Sequence, residues 1–119
     1  MMESDVRKNL QLIESDLSGF SARLLPVSKT FPVERILPAY EAGYKDFGEN
    51  KVQEIMAKKE ELPSDIRWHL IGHLQSNKVK YIAPFIYMIH SVDSEKLLTE
   101  INKQAEKCKN RYINYQYRF

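Results

Sequence analysis

A chain of 119 residues, 43% apolar and 29% charged, has the composition of one small globular domain. Its formal net charge of +2 excludes the strong basic field that selects nucleic acid or an anionic membrane surface. A lone cysteine, Cys108, rules out an intrachain disulfide and a zinc site of Cys ligands, which fits a reducing cytoplasm.

The first twenty residues mix Glu3, Asp5, Arg7, Lys8, Glu14 and Asp16 among apolar positions, so no signal-peptide core stands there. No apolar stretch approaches membrane-spanning length, and the chain reads as soluble. Val6, Leu10, Ile13, Leu17 and Phe20 recur at steps of four and three, which predicts a covering helix. Ser4 or Asp5 can cap its start, and Ser18-Gly19 begins its end. Residues 24–28 read as a strand, and 32–42 as a helix with Pro32 at its first position and Gly43 past its end. A very short strand at 45–48 precedes a helix through Lys59, capped by Asn50 with Gln53 placed for a capping box. Residues 67–71 read as a strand, 75–83 as a short helix and 85–90 as a strand. Ser91 or Asp93 caps the next helix, which runs to about Lys107 with Leu97, Leu98, Ile101 and Ala105 inward. Strand and helix alternating through short links predict a parallel sheet with crossover helices. The tail, 110–119, is a fifth strand by position, and Ile113, Tyr115, Tyr117 and Phe119 alternate with polar residues as in a strand with one wet face.

Lys29 is the first candidate for chemistry. It ends the apolar run Leu24-Leu25-Pro26-Val27-Ser28. A lysine in apolar surroundings can lose its proton, and the neutral amine attacks aldehydes. Position alone favours a surface lysine closing a strand. Asn50 also follows a strand, so its side chain can face the same mouth. His69 and His73 stand four apart, the spacing of two metal ligands on a helix, but Gly72 and the strand pattern separate them and no metal site is expected. His73 is placed to line the mouth, and His69 to pack within the strand. Ser91 follows the next strand and suits either a hydrogen bond in the mouth or a helix cap. Lys78 and Lys80 lack interleaved aromatics and read as a solvated face rather than an RNA site. Tyr40, Phe47 and Trp68 read as core.

Val27-Ser28-Lys29-Thr30, Phe47-Gly48-Glu49-Asn50 with Val52-Gln53-Glu54, the run from Ile66 to Lys80 containing Gly72-His73-Leu74-Gln75-Ser76-Asn77-Lys78, and Ile89-His90-Ser91-Val92-Asp93-Ser94 together resemble the pyridoxal-phosphate homeostasis proteins. Those proteins have a fold like the N-terminal barrel of alanine racemase. The resemblance spans about residues 24–107. It implies an α/β fold, the first half of a TIM-type (β/α)8 barrel with an N-terminal covering helix. It also implies a Schiff base between Lys29 and pyridoxal 5′-phosphate, and a non-catalytic role in supplying that cofactor inside the cell. Asn50, His73 and Ser91 are the further cofactor-binding candidates; no catalytic residue is expected.

A complete barrel takes about 250 residues. Residues 1–119 therefore read as the N-terminal part of one domain, truncated after about four units, with 110–119 as a divergent tail. In the family the phosphate site belongs to the second half. Open sheet edges predict self-association. Two other readings stay open: a fragment of a pyridoxal-phosphate enzyme such as a racemase or decarboxylase, and a remnant that binds nothing. Departures from the family pattern at Pro26, Phe31, Pro38 and Lys51 bear on strand one and helix two. Pro26 removes a ladder hydrogen bond, and Pro38 costs about 3 kcal/mol unless its helix kinks.

Overall fold

Four short strands lie side by side in chain order, each parallel to the next: β1 (Asp46–Glu49), β2 (Arg67–Leu70), β3 (Met88–Val92) and β4 (Asn114–Tyr117). The structure, a computed structural model, describes residues 2–19, 24–28, 32–110 and 113–117. The helices are α1 (Met2–Leu17), α2 (Val33–Glu41), α3 (Val52–Glu61), α4 (Val79–Ile82) and α5 (Glu95–Cys108), with a 3-10 turn at Ser76–Lys78 leading into α4. Parallel strands in sequential order, joined through helices, are the arrangement of the first half of a TIM-type barrel.

Side-chain alternation divides the sheet into two faces. Glu49 meets Lys58 of α3, so Glu49 and Phe47 face the helices. Phe47↔Trp68, Glu49↔Leu70 and Leu70↔Ile89 are in register, which puts Trp68, Leu70 and Ile89 on that same face. Against them pack Ile36 and Ala39 of α2, Val52 and Ile55 of α3, Val79 and Ile82 of α4, and Leu97 and Ile101 of α5, all buried. The opposite face carries Asp46, Gly48, Arg67, His69, Met88 and His90.

The expected first strand is reduced to one parallel bridge, Val27↔Gly48. Ser28 N–H donates to the Gly48 carbonyl (2.9 Å), and Gly48 N–H donates to the Pro26 carbonyl (2.8 Å). The next ladder bond requires an N–H on residue 26, which proline lacks. Pro38, by contrast, does not break α2. It is buried in the second half of the helix, and its carbonyl accepts from Ala42 N–H (3.1 Å). Pro32 is the N-cap of α2 rather than its first residue, and Gly43 follows the helix at φ +105°, a conformation that favours glycine.

The covering helix starts at Met2, ahead of Ser4 and Asp5. Val6 and Leu10 pack on the core, but Ile13 is 45% exposed. Phe20 lies outside the described residues. In the tail, β4 joins the sheet beside β3, so the strand expected there forms. Tyr115 stands opposite the buried Ile89 yet is 46% exposed, since no described helix covers β4. Phe119 lies outside the described residues. Among the described residues, no helix is long and apolar enough to cross a membrane.

Candidate functional site

Parallel order delivers the C-terminal ends of residues 24–28, β1, β2 and β3 to one side of the sheet, where barrels collect their chemistry. Lys29 lies outside the described residues; Ser28, which precedes it, is at this end. Asn50 directly follows β1, His73 lies three residues past β2, and Ser91 is the penultimate residue of β3. The described candidate positions, Asn50, His73 and Ser91, thus belong to, or adjoin, the same rim.

Backbone contacts hold this rim together. Ile71 N–H donates to the Glu49 carbonyl (2.9 Å), continuing the β1–β2 ladder past the strand end. The Ser91 hydroxyl donates to the Gly72 carbonyl (2.5 Å). A Cβ at Gly72 would run into the Asn50 carbonyl, so this close crossing of two loops requires glycine. His73 is 69% exposed and faces Asp93, Nδ1 to Oδ2 3.4 Å. Its imidazole is therefore open to solvent. His69 and His73 do not converge: the His69 side chain is 9% exposed within β2 and turns to other partners.

Neither capping expectation at this rim holds. Lys51 is the N-cap of α3, without a side-chain cap bond, because the helix begins at Val52, one residue later than a cap at Asn50 needs. Gln53 is consequently second in the helix and misses the capping-box position. Ser94, not Ser91 or Asp93, caps α5, its hydroxyl accepting from Leu97 N–H (3.1 Å). Ser91 is still in β3 at that point. Asn50 and Ser91 are therefore released from helix capping.

Sequence reading missed two clusters. The first surrounds Ser28. Its N–H is taken by Gly48, its carbonyl accepts from Lys58 Nζ (2.8 Å), and its hydroxyl donates to Glu49 Oε2. Lys58 Nζ also binds Glu49 Oε2 at 2.8 Å, with Glu54 further off at 3.7 Å. Burial raises the Glu49 carboxyl above the usual range, opposed by the hydrogen bonds from Lys58 and Ser28. Glu49 is fully buried, and its Oε1 has no hydrogen-bond partner among the described residues.

The second cluster lies on the face away from the helices. Arg67 grips Asp46 through two bonds, Nε to Oδ1 (2.8 Å) and a terminal nitrogen to Oδ2 (2.6 Å). His69 Nε2 reaches Asp46 Oδ1 (3.0 Å), and its Nδ1 meets His90 Nε2 (2.9 Å). The Arg67 hydrogen bonds hold the Asp46 carboxyl below the usual range, assisted by His69. A neutral His69 donating to Asp46 must accept from His90, so the chain of bonds has one direction. Alternation puts Arg67 and His69 on one face of β2, but nothing local in the sequence sets their register with Asp46 and His90.

The alanine racemase N-terminal domain family matches residues 3–116. The chain belongs to this family. Pyridoxal phosphate homeostasis proteins are its curated relatives. That of Aquifex aeolicus is 49% identical over 87 residues, covering 72% of this chain and 38% of the relative. That of Schizosaccharomyces pombe is 41% identical over 109 residues, covering 87% and 46%. PipY of Synechococcus elongatus, solved with pyridoxal phosphate bound, superposes with a TM-score of 0.81 at 41% identity, covering 87% of this chain and 50% of PipY. The chain spans about half the length of the relatives it matches, or less.

Proposed function

We propose that this chain carries the lysine-bearing half of a pyridoxal 5′-phosphate binding site, in a non-catalytic protein that buffers the cofactor inside the cell. The observation that carries this reading is PipY, whose pyridoxal phosphate-bound structure matches 87% of this chain at a TM-score of 0.81. When bound, the cofactor supplies an aldehyde that reacts reversibly with an amine. The donor set at the rim suits that end of the molecule. Lys29 offers the amine, His73 an exposed imidazole beside the mouth, and Asn50 an amide no longer engaged as a cap. Ser91 braces the Gly72 loop and keeps acceptor lone pairs for a second bond. The name that the relatives carry, pyridoxal phosphate homeostasis protein, supports the non-catalytic reading. A cytoplasmic setting accords with the exposed free thiol of Cys108.

Trapping tests the assignment. Borohydride reduction in the presence of pyridoxal phosphate, followed by peptide mapping, should place the specific label on Lys29, and Lys29→Ala should abolish it. Equal labelling of parent and variant would sink the reading.

Self-association follows from the same architecture. β4 ends the sheet on one side, and residues 24–28, held by a single bridge, on the other. Unpaired backbone groups at such margins recruit other strands. Sedimentation of the 119-residue chain should therefore show dimers or larger species that grow with concentration, whereas a strict monomer across the range would contradict this.

A further inference from the structure

We propose that Glu49 and Lys58 are positioning residues for the Lys29 amine, acting through the peptide unit that links Ser28 to Lys29. The inference rests on Lys29 being the cofactor lysine. All three polar groups of Ser28 are engaged: the N–H by Gly48, the hydroxyl by Glu49, and the carbonyl by Lys58 at 2.8 Å. Because the peptide is planar, fixing the Ser28 carbonyl fixes the plane from which the next residue departs. Lys58 reaches that carbonyl from the middle of α3, and Glu49 holds the ammonium there at 2.8 Å. The pair thereby ties the residue before Lys29 to the helix layer, across a segment that Pro26 has left with one bridge.

Stability alone does not account for this pair. Two charges taken out of water cost as much as they return, and an apolar pair of the same volume generally serves as well or better. Here the carboxylate is fully buried and its Oε1 has no hydrogen-bond partner among the described residues, which adds to the cost. What an apolar pair cannot do is donate to the Ser28 carbonyl. Without that donor, the segment retains its bridge to Gly48 and the Ser28 hydroxyl can turn to the Gly48 carbonyl, now at 3.4 Å, but nothing orients the outgoing peptide.

The decisive variant is the double replacement Glu49→Leu with Lys58→Met, compared with Lys58→Met, Lys58→Arg, Lys29→Ala and the parent chain. Three quantities are read: the thermal melt, labelling of Lys29 by pyridoxal phosphate after borohydride, and reductive methylation of every lysine by trace formaldehyde with cyanoborohydride as the hydride donor. Lys58→Met strands a buried carboxylate and should lower the melt. The double variant should recover a parent-like melt, yet its pyridoxyl label at Lys29 should stay down by about tenfold or more, the scale of a misplaced reacting group. Its formaldehyde labelling at Lys29 should match the parent within about twofold, since a small reagent needs no fixed approach. Lys58→Arg, which keeps a donor, should retain most of the pyridoxyl label. A label restored to the parent level in the double variant would overturn the positioning role while leaving Lys29 as the cofactor lysine. A parent label that survives Lys29→Ala would overturn both.

Discussion

Truncating Phe47 to alanine should destabilise the chain by about 3–5 kcal/mol, the range for losing a buried aromatic side chain. Phe47 is 1% exposed and stands in register with Trp68, ring centroids 6.4 Å apart in a tilted pair. It occupies the centre of the face on which α2 and α3 close, so its removal opens a cavity that rigid parallel strands cannot collapse into. Small domains are stable by only about 5–15 kcal/mol, so the variant should be close to half-unfolded in mild urea. Trp68 is the one tryptophan in the sequence and lies beside the deleted ring, which makes its emission the natural probe. A shift in the urea midpoint equivalent to less than about 1 kcal/mol would mean that this layer is not packed as described.

The parallel strand-helix order was legible because each helix carries an apolar stripe and each strand a short apolar run. Ile36 and Ala39, Val52 and Ile55, and Leu97 and Ile101 are all buried as those patterns require. Boundaries were less legible. Asn50 and Ser91 look like caps by residue type, but a cap is decided by where the backbone leaves extended geometry, and here that is Lys51 and Ser94. Pro26 was readable as a lost ladder bond, and the strand before Lys29 is indeed cut to a bridge. Pro38 was not readable in the same way, since a helix tolerates a missing N–H when the surrounding packing holds it.

The candidate site divides along similar lines. Strand ends in a parallel sheet share one rim, so order along the chain suffices to gather the positions around Asn50, His73 and Ser91. Long-range polar partners do not announce themselves. Ser28 and Lys58 are thirty positions apart, and nothing local in α3 marks Lys58 as facing inward rather than pairing with Glu54 in the usual helical spacing. The Asp46–His69–His90 chain likewise depends on register between three strands, which periodicity alone does not set.

Pyridoxal phosphate should bind the 119-residue chain with little advantage over phosphate-free pyridoxal, and on the order of a hundredfold or more weaker than it binds a full-length relative. A phosphate dianion gains roughly 1.5–3 kcal/mol from each charge-assisted hydrogen bond, so losing two such bonds already reaches that factor. The described rim supplies amide, imidazole and hydroxyl groups suited to the aldehyde end. Its best-placed buried cation is not free for an anion: Lys58 is held by Glu49 and by the Ser28 carbonyl, both at 2.8 Å. Taking Lys58 away from Glu49 would strand a buried carboxylate, a cost comparable to what the phosphate contact returns. In a barrel of this kind the anion is typically held where backbone N–H groups converge after the last strands. This chain spans only 50% of PipY, so we place the phosphate anchor in the half that it does not match. Parallel titrations with pyridoxal phosphate and pyridoxal, followed by the absorbance change of the bound aldehyde and run beside PipY, measure both ratios. Weak binding of similar strength for the two ligands is the expected result. Tight binding that depends on the phosphate would instead require an anion site within these 119 residues.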